Sequence, residues 1–186
     1  KGTYINSDSM HTRYIAVIYT ENEDIKRNES FTYGEATGYD FLNNFNIEEE
    51  SLKTAAKAVE KLKSVDFIGG EYPVIIASGF GAVIFHEACG HGLEATSVAP
   101  KLSIFSDLIG KKIASKKVTL IDDGTIEKVW GSNIIDDEGN STEKTILIDK
   151  GILKNYLIDE FSSIKMNMKP NGCGRRQDYD FAPTSR

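Results

Sequence analysis

A chain of 186 residues, 40% hydrophobic and 27% charged, is long enough for one domain with a real core and too apolar to stay disordered. Its net charge of −6 argues against nucleic acid as a direct partner, because phosphate binding needs clustered Lys and Arg. Two cysteines make no disulfide scaffold, no apolar stretch approaches the ~20 residues of a membrane span, and no signal peptide is visible, so a reduced, cytoplasmic setting is expected.

Residues 12–20 (T-R-Y-I-A-V-I-Y-T) are rich in β-branched and aromatic side chains, which suit a pleated surface. A polar stretch, Glu21 to Asp24, follows. Residues 25–33 then alternate, with Ile25, Arg27, Glu29, Phe31 and Tyr33 on one face, so the two runs predict a β-hairpin. Asn46-Ile47-Glu48-Glu49 reads as a capping box. Behind it Leu52, Ala55, Ala56, Val59 and Leu62 recur at helical spacing, predicting an amphipathic helix that ends near Ser64. Gly69-Gly70 marks a turn, and Pro73 introduces a short buried strand over 74–77. Ser78 is the expected N-cap of the next helix.

Beyond that helix, Lys111, Lys112, Lys116 and Lys117 form the one basic cluster, read as a solvated strand or loop face. From Lys117 the pattern is mostly β. Residues 118–121 and 126–130 flank Asp122-Asp123-Gly124 as one hairpin, and 146–148 and 152–158 flank Asp149-Lys150-Gly151 as another. Phe161, Ile164 and Met168 suggest a short helix after Asp159, and the tail from Pro170 reads as irregular. The acidic turn at Asp136 is no EF-hand loop, since its glycine is fourth rather than sixth and no twelfth-position Glu follows. The expected fold class is α+β: a curved, mainly antiparallel sheet with the amphipathic helix and a motif-bearing helix packed on it. Because the chain begins at Lys1 and closes on P-T-S-R, residues 1–186 are expected to be a single domain, the central fragment of a longer protein.

Residues 85–95 read F-H-E-A-C-G-H-G-L-E-A. Zinc favours imidazole ligands, and a hydrolytic site needs a base beside the metal. His86 and His91 are the candidate ligands, and Glu87 the candidate general base. Histidines in H-E-x-x-H lie about 40° apart around a regular helix, whereas the five-residue spacing here opens about 140°. One extra residue must be absorbed, by a π-bulge or a broken turn, and the distortion is expected between Ala88 and Gly90. Glu94 is the nearest further oxygen donor. Cys89 reads as a small buried hydrophobe, and a cysteine hydrolase built on Cys89 and His91 ranks last.

The chain resembles the TldD/PmbA family of zinc metallopeptidases, once described as modulators of DNA gyrase. The similarity runs beyond H-E-x-x-x-H. It includes Gly92 to Ala95 (G-L-E-A), Ile121 to Thr125 (I-D-D-G-T), Gly131-Ser132, Asp136 to Gly139, Leu147 to Leu153, Gly174 to Arg176 (G-R-R) and the closing P-T-S-R, in the family's order over most of 70–186. The resemblance implies a Zn2+ peptidase of unfolded or extended peptides, held along a strand by main-chain contacts. It implies a homodimer, or a heterodimer with a related subunit lacking the zinc motif. On this match His86 and His91 bind the metal and Glu87 is catalytic. The family's third ligand is a cysteine from a C-terminal region, whose position neither Cys89 nor Cys173 matches, so weak or absent zinc binding by this chain alone is implied. Thr96 stands where the family often has an acidic residue. Arg175 and Arg176 could serve either a peptide or a salt bridge. The rival reading is a non-enzymatic interaction module acting on a partner such as gyrase, or an inactive fragment.

Overall fold

The computed structural model describes residues 2–185. Its contacts gather into two compact units.

The first comprises Asp8–Val74 and Glu127–Trp130. Strands β1 (Thr12–Asn22) and β2 (Ile25–Glu35) form the expected antiparallel hairpin, in register from Thr12 opposite Glu35 to Asn22 opposite Ile25. The inward positions of β2, led by Phe31 and Tyr33, meet Phe41 and Phe45 from the following 3-10 turn. Tyr33 stacks on Phe45 with ring centroids 4.1 Å apart. Helix α1 (Ile47–Lys61) starts at the expected cap, where Asn46 accepts from the Glu49 amide at 3.1 Å. The buried face of α1 is not the predicted one. Thr54 and Ala58 turn inward, while Leu52 and Val59 are 66% and 52% exposed. Small residues let the helix axis lie close to the hairpin, close enough for the Thr20 hydroxyl to reach the Ala58 carbonyl at 3.0 Å.

Residues 126–130 do not pair with the strand before them. The Lys128 carbonyl instead accepts from Ala36, and Trp130 lies under the Arg13 guanidinium at 4.1 Å and against Gly34. The predicted strand over 74–77 is also absent. This apolar run carries no regular structure and pairs with no strand among the described residues, and Ile75 is 98% exposed.

The second unit comprises Lys1–Ser7, Ile75–Ile126 and Gly131–Arg186. After the motif come α3 (Ala95–Val98) and a loop, then β3 (Leu120–Asp123), β4 (Lys144–Asp149) and β5 (Ile152–Leu153), an antiparallel sheet in that order. The β4–β5 turn is the expected Asp149-Lys150-Gly151. Lys150 and Gly151 both take positive φ, 48° and 82°, the backbone that a tight primed hairpin turn requires. The lysine-bearing loop lies along β5, where Leu153 donates to the Lys111 carbonyl at 3.0 Å, and its four lysines remain exposed.

Helix α4 (Glu160–Met166) follows Asp159, whose buried carboxylate accepts from the Ser162 amide and hydroxyl at 2.8 and 2.7 Å. The tail is less irregular than expected. Two short strands, β6 (Gly174–Arg175) and β7 (Thr184–Ser185), pair antiparallel. The chain is therefore α+β with antiparallel strands, divided among the described residues into three small sheets. Among the described residues no helix is long and apolar enough to cross a membrane.

Candidate metal centre

The motif segment changes helical pitch three times in fourteen residues. Ser78 does not cap it. The N-cap is Gly79, at φ 96°, a conformation that favours glycine. A 3-10 turn (Phe80–Ala82) leads into α2 (Val83–Phe85), then a π-helical turn over His86–Gly90, then a 3-10 turn over His91–Leu93. The extra residue is absorbed by a π turn, which begins at His86, two residues before the expected Ala88. The His91 amide donates to the His86 carbonyl, five residues back, which is the π hydrogen bond. That wider turn sets His91 directly after one full circuit from His86 instead of about 140° away.

The consequence is convergence. The two imidazole centroids lie 4.4 Å apart with planes at 73°. One ligand atom from each of His86, Glu87 and His91 lies within 4.8 Å of the others. His91 Nε2 is 3.7 Å from Glu87 Oε2. Two nitrogens each about 2 Å from one zinc ion stand roughly 3–4 Å apart, so the trio is near ligating geometry. Its chemistry fits a borderline-soft cation: two imidazoles and one carboxylate, His86 and Glu87 exposed and His91 half-buried.

Glu94 stands elsewhere than expected. Its Oε1 is 2.7 Å from His91 Nδ1, on the far side of the ring from Glu87. It therefore contacts a candidate ligand and is not a member of the converging trio. Cys89 is half-buried and outside the trio, while Cys173 is buried and donates to Asn171 Oδ1 at 3.0 Å.

Core packing fixes the exit of the motif. Leu93 and Ala95 are fully buried, and the backbone between them pairs with Leu157 through bonds of 2.9 and 2.7 Å. Gly92 rests on the Phe105 ring, where a Cβ would come within 2.8 Å of two ring carbons, and its carbonyl accepts from Ser103 Oγ. The pattern does not predict this clamp, because ten residues, α3 among them, separate Gly92 from Ser103. Thr96, in place of an acidic residue, meets the closing segment: its amide lies 3.4 Å from Ser185 Oγ and its hydroxyl 3.3 Å from that of Thr184. Arg175 sends its charge toward Asp122, and the Arg176 amide donates to Asp137 at 2.7 Å. Neither arginine is placed in the trio.

A compact α+β unit carrying two imidazoles and a carboxylate on a widened helical turn has the makings of a metallopeptidase centre. A family model described as the PmbA/TldA metallopeptidase C-terminal domain matches residues 69–186, and the chain belongs to this TldD/PmbA metallopeptidase family. It is 41% identical over 160 residues to a metalloprotease TldD homolog of Buchnera aphidicola, covering 82% of this chain and 33% of that protein. It is 30% identical over 136 residues to a zinc metalloprotease TldD homolog of Saccharolobus solfataricus, covering 73% and 30%. The chain thus spans a third or less of these relatives. Among solved structures, a Thermotoga maritima protein described as a modulator of a DNA gyrase superposes with a TM-score of 0.73 at 22% identity, covering 92% of this chain and 38% of that one. TldE from Thermococcus kodakarensis gives 0.65 at 18%, covering 93% and 38%. At these identities the likeness speaks for the fold alone.

Proposed function

We propose that this chain supplies the metal-holding and proton-transfer residues of a zinc-dependent peptidase acting on unfolded or extended peptides. The supporting observation is the π turn that brings His86, Glu87 and His91 within 4.8 Å. His86 and His91 would hold the ion. Zinc, when bound, supplies Lewis acidity that polarises a peptide carbonyl and makes a water acidic enough to attack near neutral pH. Glu87 Oε2 takes the proton of the attacking water and returns it to the departing amine nitrogen. Its side chain is 64% exposed, so it is free to swing between those two positions. Catalytic zinc sites take three protein ligands, and we assign the third to a cysteine outside this chain. A homodimer, or a heterodimer with a related subunit, belongs to the same reading, as does main-chain recognition of substrate.

The test is metal analysis beside peptide hydrolysis by Glu87→Gln in the full-length protein. Zinc should be retained while hydrolysis falls about 10²–10⁴-fold, the usual worth of a general base. Undiminished hydrolysis would refute the assigned role. A non-enzymatic role on a partner such as gyrase would instead require that neither wild type nor variant cleaves peptide.

A further inference from the structure

We infer that Glu94 is a positioning residue: its carboxylate holds His91 in the Nδ1–H tautomer and leaves Nε2 bare, so the motif carries one pre-oriented imidazole and one unanchored imidazole. The metal consequence rests on the reading above; the tautomer does not.

The contact is short, with Glu94 Oε1 2.7 Å from His91 Nδ1. An ionised carboxylate only accepts hydrogen bonds, so the proton between them sits on Nδ1. The Glu94 side chain is 15% exposed, against 64% for Glu87, so water competes little for this bond. The backbone under Glu94 is fixed as well. It leaves the 3-10 turn at φ −68°, ψ 129°, and its neighbours Leu93 and Ala95 are buried and paired with Leu157. The carboxylate therefore reaches back to His91 from backbone held by buried, hydrogen-bonded neighbours.

On the opposite edge of the ring, Nε2 faces Glu87 at 3.7 Å, beyond hydrogen-bond range. A neutral imidazole protonated on Nδ1 presents its lone pair there. A carboxylate behind a ligating histidine fixes tautomer and ring orientation and raises ligand basicity. No hydrogen bond holds the His86 ring among the described residues. Gly90 lies beside that ring, where a Cβ would be 3.4 Å from Nδ1. A cation should meet His91 as a fixed ligand and draw His86 in by rotation.

Long-range proton–nitrogen NMR of the imidazoles reads the tautomer directly in metal-free protein. His91 should be predominantly Nδ1–H in the wild type. Glu94→Gln keeps volume and hydrogen bonding, but its amide can either donate or accept, so the two tautomers should mix. Glu94→Ala should mix them too and weaken zinc binding about 10–100-fold in a chelator competition, with the circular dichroism spectrum unchanged. If Glu94→Ala fails to fold, Glu94→Gln decides alone. A wild-type His91 that is mainly Nε2–H, or a tautomer ratio unmoved by Glu94→Gln, overturns the inference. A wild type with the expected tautomer but no measurable zinc binding, even in the full-length protein, counts against the peptidase reading and leaves the positioning of His91 standing.

Discussion

At the scale of single residues, the motif depends on a side chain that is not there. Gly92 lies against Phe105 so closely that any Cβ would meet the ring at 2.8 Å, and Phe105 packs on the buried core of Leu93, Leu153 and Tyr156. Gly92→Ala must displace the ring or the turn that carries His91. The expected cost is about 1–3 kcal/mol, the usual penalty for overpacking, read as a lower urea midpoint with an unchanged slope. Gly90 is the contrast, because a Cβ there meets the His86 ring only at ordinary contact distance, 3.4 Å and beyond. Gly90→Ala should leave stability nearly unchanged, and equal losses at both glycines would show that helical pitch, not the Phe105 contact, sets the requirement.

At the scale of elements, end signals and spacing were readable where the chemistry is local. The Asn46 cap, the Asp149-Lys150-Gly151 turn and the extra residue in the motif depend on neighbours within five positions; the first two stand where the pattern placed them, and the third is a π turn that starts two residues early, at His86. Readings that needed a distant partner fared worse. The run 74–77 has strand composition, but a strand also needs another backbone to pair with, and composition cannot name it. Residues 126–130 look like the return arm of a hairpin, yet Trp130 packs on Gly34 nearly a hundred positions away. Helix α1 shows the same limit: its period is helical, but which face turns inward depends on how closely the hairpin can approach. Glu94 in turn is visible as an oxygen donor three residues after His91, and only the 3-10 turn over His91–Leu93 shows that it meets Nδ1 rather than the trio.

The caps give an element-scale prediction with a built-in contrast. Asn46 is exposed and accepts one amide bond, whereas Asp159 is 1% exposed and accepts two bonds from Ser162. Losing an N-cap costs about 1 kcal/mol, and leaving buried donors unpaired adds about 1–3 kcal/mol. Asp159→Ala should therefore destabilise more than Asn46→Ala, with amide exchange accelerated through α4 in the first variant and α1 in the second.

At the scale of the whole molecule, acid response is set by carboxylates whose environments push in opposite directions, and two of them are consecutive on β3. Strand alternation sends their side chains to opposite faces. Asp122 points inward, opposite the buried Thr145. Burial raises its pKa above the ordinary aspartate value of 3.8, and the charge of Arg175 offsets only part of that. The surroundings are poor in partners: Thr145 Oγ1 and Arg175 Nη1 are buried with no hydrogen-bond partner among the described residues. Asp123 takes the other face, where its side chain is 16% exposed and well supplied with partners. Hydrogen bonds from the Thr125 hydroxyl and amide, at 2.6 and 3.1 Å, pull its pKa below 3.8, and Lys144 adds its charge.

The signs follow from which state binds the proton more tightly. The folded chain favours protonated Asp122, so a destabilising contribution is absent below 3.8 and accrues as pH rises toward the raised folded value. The folded chain favours ionised Asp123, so a stabilising contribution is present above 3.8 and is lost as pH falls through the depressed folded value. Measured against wild type by urea unfolding across that acidic range, Asp122→Asn should gain relative stability as pH rises and then level off. Asp123→Asn should lose relative stability over a window lying lower in pH. The two difference curves therefore bend in opposite directions on either side of the ordinary value, although the substitutions are chemically identical and adjacent. Parallel curves would mean that the side-chain orientation on β3, and with it the burial of Asp122, is wrong.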